Sequence, residues 1–404
     1  MSYRLGVDIG TTFTAAAVAN GSAPTMVGLG NRALQIPSVL FLQPDGNFLV
    51  GEAAERRGLT EPSRLVREFK RRIGDPVPIL IAGSPYSPQS LAATVLRWVI
   101  NTTTERMGEP PDEVILTHPA NWGAYKLELL DQVATLADLR GARRLPEPLA
   151  AAAQYAASTR VTVGDKLAVY DLGGGTFDAC VLEKTADGFA LLGTPEGIEH
   201  LGGVDFDEVL FQMVLDVLSG DLQRLDPGDP GVIAGLARLR RDCVDAKEAL
   251  SSDTDVVLAV ALPGLSTSVR LNRAEFEALI RPALMESVAA MSRALKSAEV
   301  DPKDLAAIVL IGGSSRIPLV GELLSRTFGV RTALDTHPKH DVALGAVQAS
   351  HDASATLRPT RAESTIPQAG RQGSRAAVSP SDAAPAGGPA ADPAAASDEP
   401  STLR

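Results

Sequence analysis

Two short segments rich in glycine and threonine, each led by an aspartate, constrain the fold of this chain most strongly. The first is the run 8–14 (DIGTTFT), and the second is the run 171–178 (DLGGGTFD). Each follows an apolar β-type run and precedes another, so each predicts a strand, a tight hairpin turn and a second strand. Because the same pattern occurs twice, we predict two related halves that carry one copy each.

Both loops have the composition of a phosphate-binding turn. Glycine lets the backbone approach a phosphate closely, and successive N–H groups form an anion-binding nest to which Thr11, Thr12 and Thr176 add hydroxyl donors. The leading carboxylates, Asp8 and Asp171, would then lie beside the phosphates, which requires a cation between them. A glycine-rich hairpin without a ligand is the alternative, but three consecutive glycines lose more backbone entropy than a turn demands.

Composition narrows the classes of partner. The chain has 404 residues and a net charge of −11, and this acidic balance argues against nucleic acid as the main partner. A short basic run at 64–72 is the exception, and we interpret it as a solvated helix face apart from Lys70. No apolar run approaches the length of a membrane span, and no export signal is recognisable. Cys180 and Cys243 have no motif spacing, which fits a cytoplasmic location.

Strands and helices alternate in the same order in both halves. This predicts an α/β protein of two lobes, 1–160 and 161–350, with a ligand cleft between them. In the second half a predicted strand leads directly into the run 312–316 (GGSSR), which is a third candidate ligand loop. From about residue 351 the composition changes to Ala, Pro, Ser and Gly without apolar periodicity, so we expect a disordered tail over 351–404.

The spacing of apolar residues places the main helices. A helix over 122–139 would turn Leu129, Val133 and Leu136 towards the core. The other predicted helices cover 88–106, 206–218, 232–250 and 273–298.

Five short segments occur in a fixed order along the chain. They are 6–12 (GVDIGTT), 146–152 (PEPLAAA), 170–178 (YDLGGGTFD), 200–207 (HLGGVDFD) and 311–318 (IGGSSRIP). Together they resemble the nucleotide-binding domain of the heat-shock protein 70 (DnaK) family, within the actin-like ATPase superfamily. One such motif is weak, whereas five in order are a strong match across residues 3 to about 350. The resemblance implies a duplicated actin-like ATPase fold, ATP or ADP and Mg²⁺ as cofactors, and ATP hydrolysis.

The resemblance also assigns roles to matching positions at the phosphate end. Asp8 and Asp171 would orient water molecules around Mg²⁺. Lys70 matches the catalytic lysine that positions the attacking water, and Glu147 matches a carboxylate that helps to hold that water and the metal shell. Thr176 completes this implied catalytic set. The β- and γ-phosphates would be held by Gly10, Thr11, Thr12, Phe13, Gly173, Gly174, Gly175 and Thr176.

The nucleoside end matches the family less closely. Val244 replaces a glutamate that holds the ribose hydroxyls, and Lys339 replaces an aspartate near the nucleoside. Each lost polar contact costs about 1–3 kcal/mol if its partner stays buried and unpaired, so we predict weaker ATP binding than in a typical family chaperone. The matching positions are Gly202, Gly203, Lys247, Ser251, Gly312, Gly313, Ser314 and Arg316.

The leading hypothesis is an ATP-hydrolysing module whose lobe closure switches a protein partner or client. A non-hydrolysing nucleotide-sensing or scaffold module is the alternative, motivated by Val244 and Lys339. A small-molecule kinase is disfavoured because Lys70 and Glu147 stand where the ATPases place water-handling groups. We expect no peptide-binding domain after residue 350, which leaves open chaperone activity and the action of co-chaperones or exchange factors.

Overall fold

The computed structural model describes residues 2–139, 141–334 and 340–352, with side chains in the last segment through residue 349. Lys339 and the predicted tail beyond residue 352 lie outside this described part. Two large β-sheets form its centre, and three small sheets flank them. The strands are β1 (Arg4–Ile9), β2 (Phe13–Ala19), β3 (Thr25–Met26), β4 (Ile36–Pro37), β5 (Leu40–Leu42), β6 (Phe48–Val50), β7 (Leu65–Val66), β8 (Ile79–Ile81), β9 (Ser84–Tyr86), β10 (Glu113–His118), β11 (Arg143–Pro146), β12 (Lys166–Leu172), β13 (Phe177–Thr185), β14 (Gly188–Ile198), β15 (Asp255–Leu262), β16 (Leu265–Asn272), β17 (Leu305–Ile311) and β18 (Thr332–Leu334).

The two large sheets repeat one topology. In the first sheet the order is β3, β2, β1, β10 and β11, with β4 also paired to β2, and in the second it is β14, β13, β12, β17 and β18. The first three strands of each sheet pair antiparallel, and the last three pair parallel. This repetition confirms the predicted duplicated α/β fold. The exact lobe boundaries, 1–160 and 161–350, stay a prediction.

Helices begin and end at residues suited to those positions. The side chains of Ser87, Asp229 and Asn272 accept backbone N–H groups at helix starts, while Gly108 and Gly329 adopt the left-handed conformation at helix ends. No helix in the described residues has the length and apolar character needed to cross a membrane. The helices are α1 (Glu52–Gly58), α2 (Pro88–Met107), α3 (Ala124–Leu136), α4 (Glu147–Ser158), α5 (Gly203–Val217), α6 (Ser219–Leu222), α7 (Pro230–Ala249), α8 (Arg273–Ser297), α9 (Pro318–Phe328) and α10 (Asp341–Asp352).

The prediction that Leu136 lies in the core is wrong. Leu129 and Val133 are buried in α3 as predicted, but Leu136 is 45% exposed. The physical reason is the four-residue spacing along this face, which brings Ala137 rather than Leu136 to the core, where Ala137 is buried. The other predicted helices correspond to α2, α5, α7 and α8.

Helices α4 and α10 pack against each other at the junction of the two large sheets. Helix α10 contacts β1 and β2 of the first sheet, while α4, which belongs to the first half, reaches β12, β14 and β17 of the second. One buried cluster around these helices includes Ala15 and Ile115 of the first sheet and Val169 and Val309 of the second. This shared core sets the sheets against each other and brings the ends of β1 and β12 together.

Gly345 marks the closest approach of α10 to α4. A Cβ atom there would lie 1.8 Å from the carbonyl oxygen of Ala150, so a Gly345→Ala side chain would force the helices apart. We expect this change to lower the free energy of unfolding by about 3 kcal/mol, measured by urea unfolding. Gly321→Ala in α9 is the control: no neighbouring atom lies within 4 Å of its added Cβ, and alanine should stabilise that helix by about 0.5–1 kcal/mol. Equal effects at the two positions would contradict the packing argument.

Candidate active site

The two glycine loops close with the same hydrogen bond. The backbone N–H of Gly10 donates to the carbonyl of Phe13 at 2.9 Å, and that of Gly173 donates to the carbonyl of Thr176 at 3.0 Å. The first loop joins β1 to β2 and the second joins β12 to β13, which pair antiparallel on either side of the loop. The predicted strand–turn–strand structure is therefore present at both places.

The two loops also contact each other. A Cβ atom on Gly174 would lie 2.5 Å from side-chain atoms of Thr12, and one on Gly175 would lie 2.5 Å from Cγ2 of Thr11. Any larger residue at either position would therefore separate the loops. The consecutive glycines of the second loop are thus explained by the close approach of the first.

The predicted third loop (312–316) and the start of α5 both donate hydrogen bonds to the second glycine loop. The hydroxyl of Ser314 donates to the carbonyl of Gly173 at 2.9 Å. The N–H groups of Gly203 and Val204 donate to the carbonyls of Gly173 and Gly174 at 3.0 and 2.8 Å. These bonds occupy carbonyl groups of the loop, so their geometry holds the loop in one conformation.

A cavity of about 150 Å³ lies between the loops. The structure does not bring Gly175, Gly202 or Arg316 to this cavity: the two glycines pack against each other, with a hypothetical Cβ of Gly202 only 2.5 Å from the Gly175 nitrogen, and Arg316 is exposed. The predicted residues that do line the cavity are Asp8, Gly10, Thr11, Thr12, Phe13, Lys70, Glu147, Asp171, Gly173, Gly174, Thr176, Gly203, Lys247, Ser251, Gly312, Gly313 and Ser314.

Lys70 and Glu147 form a buried ion pair at one end of the cavity. Lys70 Nζ donates to Glu147 Oε1 at 2.8 Å, and the two side chains are 12% and 10% exposed. Lys70 belongs to the 3₁₀ turn Phe69–Arg72, while Glu147 begins α4 directly after β11. Burial alone lowers the pKa of Lys70, but the carboxylates of Glu147, Asp8 and Asp171 together raise it above its usual range. Lys70 is therefore a fixed positive charge in the cavity.

Asp8 and Asp171 lie one residue before the ends of β1 and β12, the central strands of the two sheets, and the pKa values of both are raised. Burial and the charge of Glu147 raise the pKa of Asp8 to about 6, although Thr117 Oγ1 donates to Asp8 Oδ1 at 3.0 Å and opposes the shift. Burial, followed by the charges of Glu147, Asp178 and Asp8, raises the pKa of Asp171 well above its usual range. The raised pKa values of these carboxyl groups reflect burial and their mutual repulsion around Lys70, and a divalent cation would relieve that repulsion.

The donor chemistry of these groups fits Mg²⁺. Asp8 and Asp171 offer hard carboxylate oxygens, which magnesium prefers over softer ligands. In the described part of the chain, no three acidic, His or Cys side chains converge closely enough to coordinate one ion directly. Mg²⁺ commonly keeps several water ligands and is held by one or two carboxylates, so contact through water remains the mode that these residues fit.

Asp178 is a buried carboxylate to which the sequence predictions assigned no role. It lies directly opposite Asp171 across the β12–β13 pair, and its Oδ1 has no hydrogen-bond partner. Burial and the charge of Glu147 raise its pKa to about 8. With Lys70 and Thr176 it lines a second cavity of about 20 Å³, enough room for one water molecule. The sequence could have predicted this position for Asp178, because a hairpin turn at 173–176 pairs residue 171 with residue 178.

Helix α7 and the turn that follows it line another part of the cavity, at the predicted nucleoside end. Val244 lines it, as does Ser251. Lys247 is held by the protein: its Nζ lies 2.7 Å from Asp207 Oδ1 and donates to the carbonyl of Gly203 at 3.0 Å. The apolar side chain of Val244 offers a ribose hydroxyl no hydrogen bond.

A larger cavity of about 420 Å³ lies elsewhere in the described residues. It is lined mainly by apolar side chains such as Leu149, Phe189 and Val347. Despite its size, it includes neither glycine loop and none of the buried carboxylates. The smaller cavity is therefore the candidate active site, because it holds the convergent polar and titratable groups.

The basic run 64–72 is not the solvated helix face that its composition suggested. It forms strand β7 and the 3₁₀ turn Phe69–Arg72, and the side chain of Arg71 is buried against the second half of the molecule. The interpretation was wrong because the charge of Arg71 is paired with carboxylates, whose position sequence alone does not reveal.

Two sheets share one strand order apart from the additional strand β4, and their glycine hairpins meet beside a cavity lined by Lys70 and carboxylates. These features define a duplicated actin-like fold. The family model described as Hsp70 protein matches residues 4–79 and 76–356. The chain therefore belongs to the Hsp70 family. Members of this family generally bind ATP or ADP with Mg²⁺ and hydrolyse ATP, and they typically interact with client proteins and co-chaperones.

Proposed function

We propose that this protein hydrolyses ATP to ADP and phosphate by in-line attack of water, in a Mg²⁺-dependent reaction. The observation that carries the proposal is the Lys70–Glu147 pair, held at 2.8 Å beside two facing phosphate-type loops. Asp8 and Asp171 flank the same cavity from the ends of equivalent strands. Family membership supports the general reaction.

Each group has a distinct task in this proposal. The N–H groups of the glycine loops and the hydroxyls of Thr11 and Thr12 bind the β- and γ-phosphates. Lys70 neutralises charge on the γ-phosphate, and the small cavity that it shares with Thr176 and Asp178 has the size and polarity to hold the attacking water. Bound Mg²⁺ would supply charge neutralisation at the phosphate oxygens. Positioning and electrostatics are the main sources of rate in phosphoryl transfer.

Asp171→Asn should lower the rate of phosphate release at saturating ATP by about 100-fold, because it removes a buried carboxylate aimed at the proposed Mg²⁺ shell. The measurement is phosphate release over a range of Mg²⁺ concentrations, where the variant should need more Mg²⁺ for half-maximal rate. Asp187→Asn, on the exposed turn between β13 and β14, is the matched control and should match the unaltered protein. The proposal fails if the unaltered protein shows no turnover above background, or if Asp171→Asn has no effect.

Nucleotide sensing without hydrolysis is the second candidate function. It is favoured by Val244, which lines the cavity at the predicted nucleoside end and offers no hydrogen bond to a ribose hydroxyl. Calorimetry distinguishes the candidates. Tight binding of ADP and ATP without phosphate release supports sensing, whereas the absence of nucleotide binding supports a scaffold.

The proposal also includes a protein partner that binds differently to the open and the closed cleft. It places the protein in the cytoplasm. Cleft closure around the nucleotide would change the surface on both sides of the cleft, which a partner can recognise. The test compares proteins captured by the ATP-bound form with those captured by the nucleotide-free form. A partner captured equally by both forms would contradict the switch.

A further inference from the structure

Arg71 joins the two halves of the molecule across the cleft. Its Nη2 donates to both carboxylate oxygens of Asp205, at 2.9 and 2.8 Å, although the two residues are 134 positions apart. Its Nη1 donates to Glu68 at 3.2 Å. The Arg71 side chain is 9% exposed and that of Asp205 is 34% exposed. One guanidinium nitrogen thus contacts both carboxylate oxygens, and this short, charge-assisted contact constrains the distance between the two segments.

The Arg71 side chain also packs against the second glycine loop. A Cβ atom on Gly175 would lie 2.8 Å from Cδ of Arg71, which shows how closely the stem approaches the loop. Asp205 lies in the first turn of α5, and the first N–H groups of that helix donate to the carbonyls of Gly173 and Gly174. Arg71 therefore contacts the loop directly and is linked to it a second time through Asp205 and α5.

Arg71 follows Lys70 directly in the same 3₁₀ turn. Backbone bonds from Arg71 N to the Glu68 carbonyl at 3.1 Å, and from Ile73 N to the Lys70 carbonyl at 3.2 Å, make this turn one unit. Any displacement of Arg71 is thus passed to the backbone of Lys70. Neither Arg71 nor Asp205 lines the 150 Å³ cavity between the loops, and Arg71 instead borders the small cavity that it shares with Lys70. We therefore expect the two residues to act on Lys70 and on closure rather than on the nucleotide.

We propose that Arg71 is a positioning residue, whose pair with Asp205 holds the cleft closed and sets Lys70 in place only in the closed state. The catalytic part of this inference rests on the proposed function. When the halves separate, the Arg71–Asp205 pair breaks and the turn that carries Lys70 loses its contact with the second half. Cleft opening and loss of the Lys70 position are then one event.

An exposed ion pair on the same helix as Asp205 supplies a matched control. Glu208 lies one turn after Asp205 in α5 and pairs with Arg240 of α7, and their side chains are 53% and 54% exposed. Exposed pairs contribute little to stability because water screens them. Glu208→Gln should therefore leave both closure and catalysis unchanged.

The first test measures closure without relying on hydrolysis. Spin labels are placed on cysteines substituted for two exposed serines, Ser63 of the first half and Ser266 of the second, while the native cysteines are buried. In the nucleotide-free protein, Asp205→Asn and Arg71→Lys should broaden and lengthen the distance distribution, whereas Glu208→Gln should match the parent. An unchanged distribution in both Asp205→Asn and Arg71→Lys overturns the proposal, whether or not the protein hydrolyses ATP.

The second test separates positioning from a merely structural role. Asp205→Asn and Arg71→Ala should lower kcat by about 10- to 100-fold and change KM for ATP much less, because neither side chain touches the nucleotide. Arg71→Lys, which keeps the charge, should retain more activity than Arg71→Ala. The double variant with both Asp205→Asn and Arg71→Ala should hydrolyse ATP no more slowly than the slower of the two single variants. Circular dichroism verifies folding. Unchanged kcat in an active protein overturns the proposal, whereas an inactive parent refutes only the proposed hydrolysis and leaves the distance measurement decisive.

Discussion

Lys70→Ala is expected to lower the rate of ATP hydrolysis by about 100-fold or more, since it removes the positive charge that we propose to neutralise the γ-phosphate beside the carboxylate cluster. Single-turnover phosphate release measures the effect directly. Glu147 would lose its 2.8 Å partner and stay buried. Breaking such a pair costs about 3–5 kcal/mol, so the folded fraction must be measured in parallel.

Arg72→Ala is the control for Lys70→Ala. Arg72 lies in the same 3₁₀ turn, but its side chain is 39% exposed and pairs with Asp75 rather than with the cavity. Its removal should leave the hydrolysis rate within about twofold of the parent, because exposed ion pairs contribute little. If Arg72→Ala lowered the hydrolysis rate as much as Lys70→Ala, the effect would not be specific to the position of Lys70.

Gly312→Ala is expected to lower the free energy of unfolding by about 3 kcal/mol and to weaken ATP binding. Gly312 has a φ of 80°, and an added Cβ would lie 2.3 Å from the Leu172 carbonyl oxygen and 2.6 Å from Asp171 Oδ1. Backbone strain and steric overlap each cost about 1–3 kcal/mol. Urea unfolding and calorimetry would measure both effects.

Gly329→Ala isolates the contribution of backbone strain. Gly329 ends α9 with a φ of 67°, but no atom lies within 4 Å of an added Cβ. Alanine there should cost only about 1 kcal/mol and should not change ATP binding. If Gly329→Ala lowered the free energy of unfolding as much as Gly312→Ala, the close contact of Gly312 with Asp171 and Leu172 would not explain the effect.

The two glycine hairpins were predictable because their signal is local. Glycine-rich turns between apolar β-type runs leave few alternatives to a hairpin, and both hairpins formed where they were predicted. Lys70 and Glu147 are different: only the resemblance singled them out, because a lone basic or acidic residue in a loop has no local signature. The structure brings them together with Asp8 and Asp171 around one cavity.

Other features depended on register and on packing between distant segments. Leu136 followed the apolar pattern, yet Ala137 occupies the core because the helix turns that position inward. Arg71 looked like part of a solvated basic run, yet it is buried against Asp205. The exclusion of Gly175, Gly202 and Arg316 from the cavity likewise follows from how the loop and α5 pack, which composition does not encode.

Local sequence was therefore sufficient for the paired loops, the alternation of strands and helices, and the duplicated fold, because turn chemistry and apolar periodicity act over a few residues. Tertiary structure alone decided which charges meet. The Arg71–Asp205 pair and the contact of Thr12 with Gly174 join segments from opposite halves. Such contacts depend on how α4 and α10 set the two sheets against each other, and electrostatic energy depends on distance in space rather than on separation along the chain.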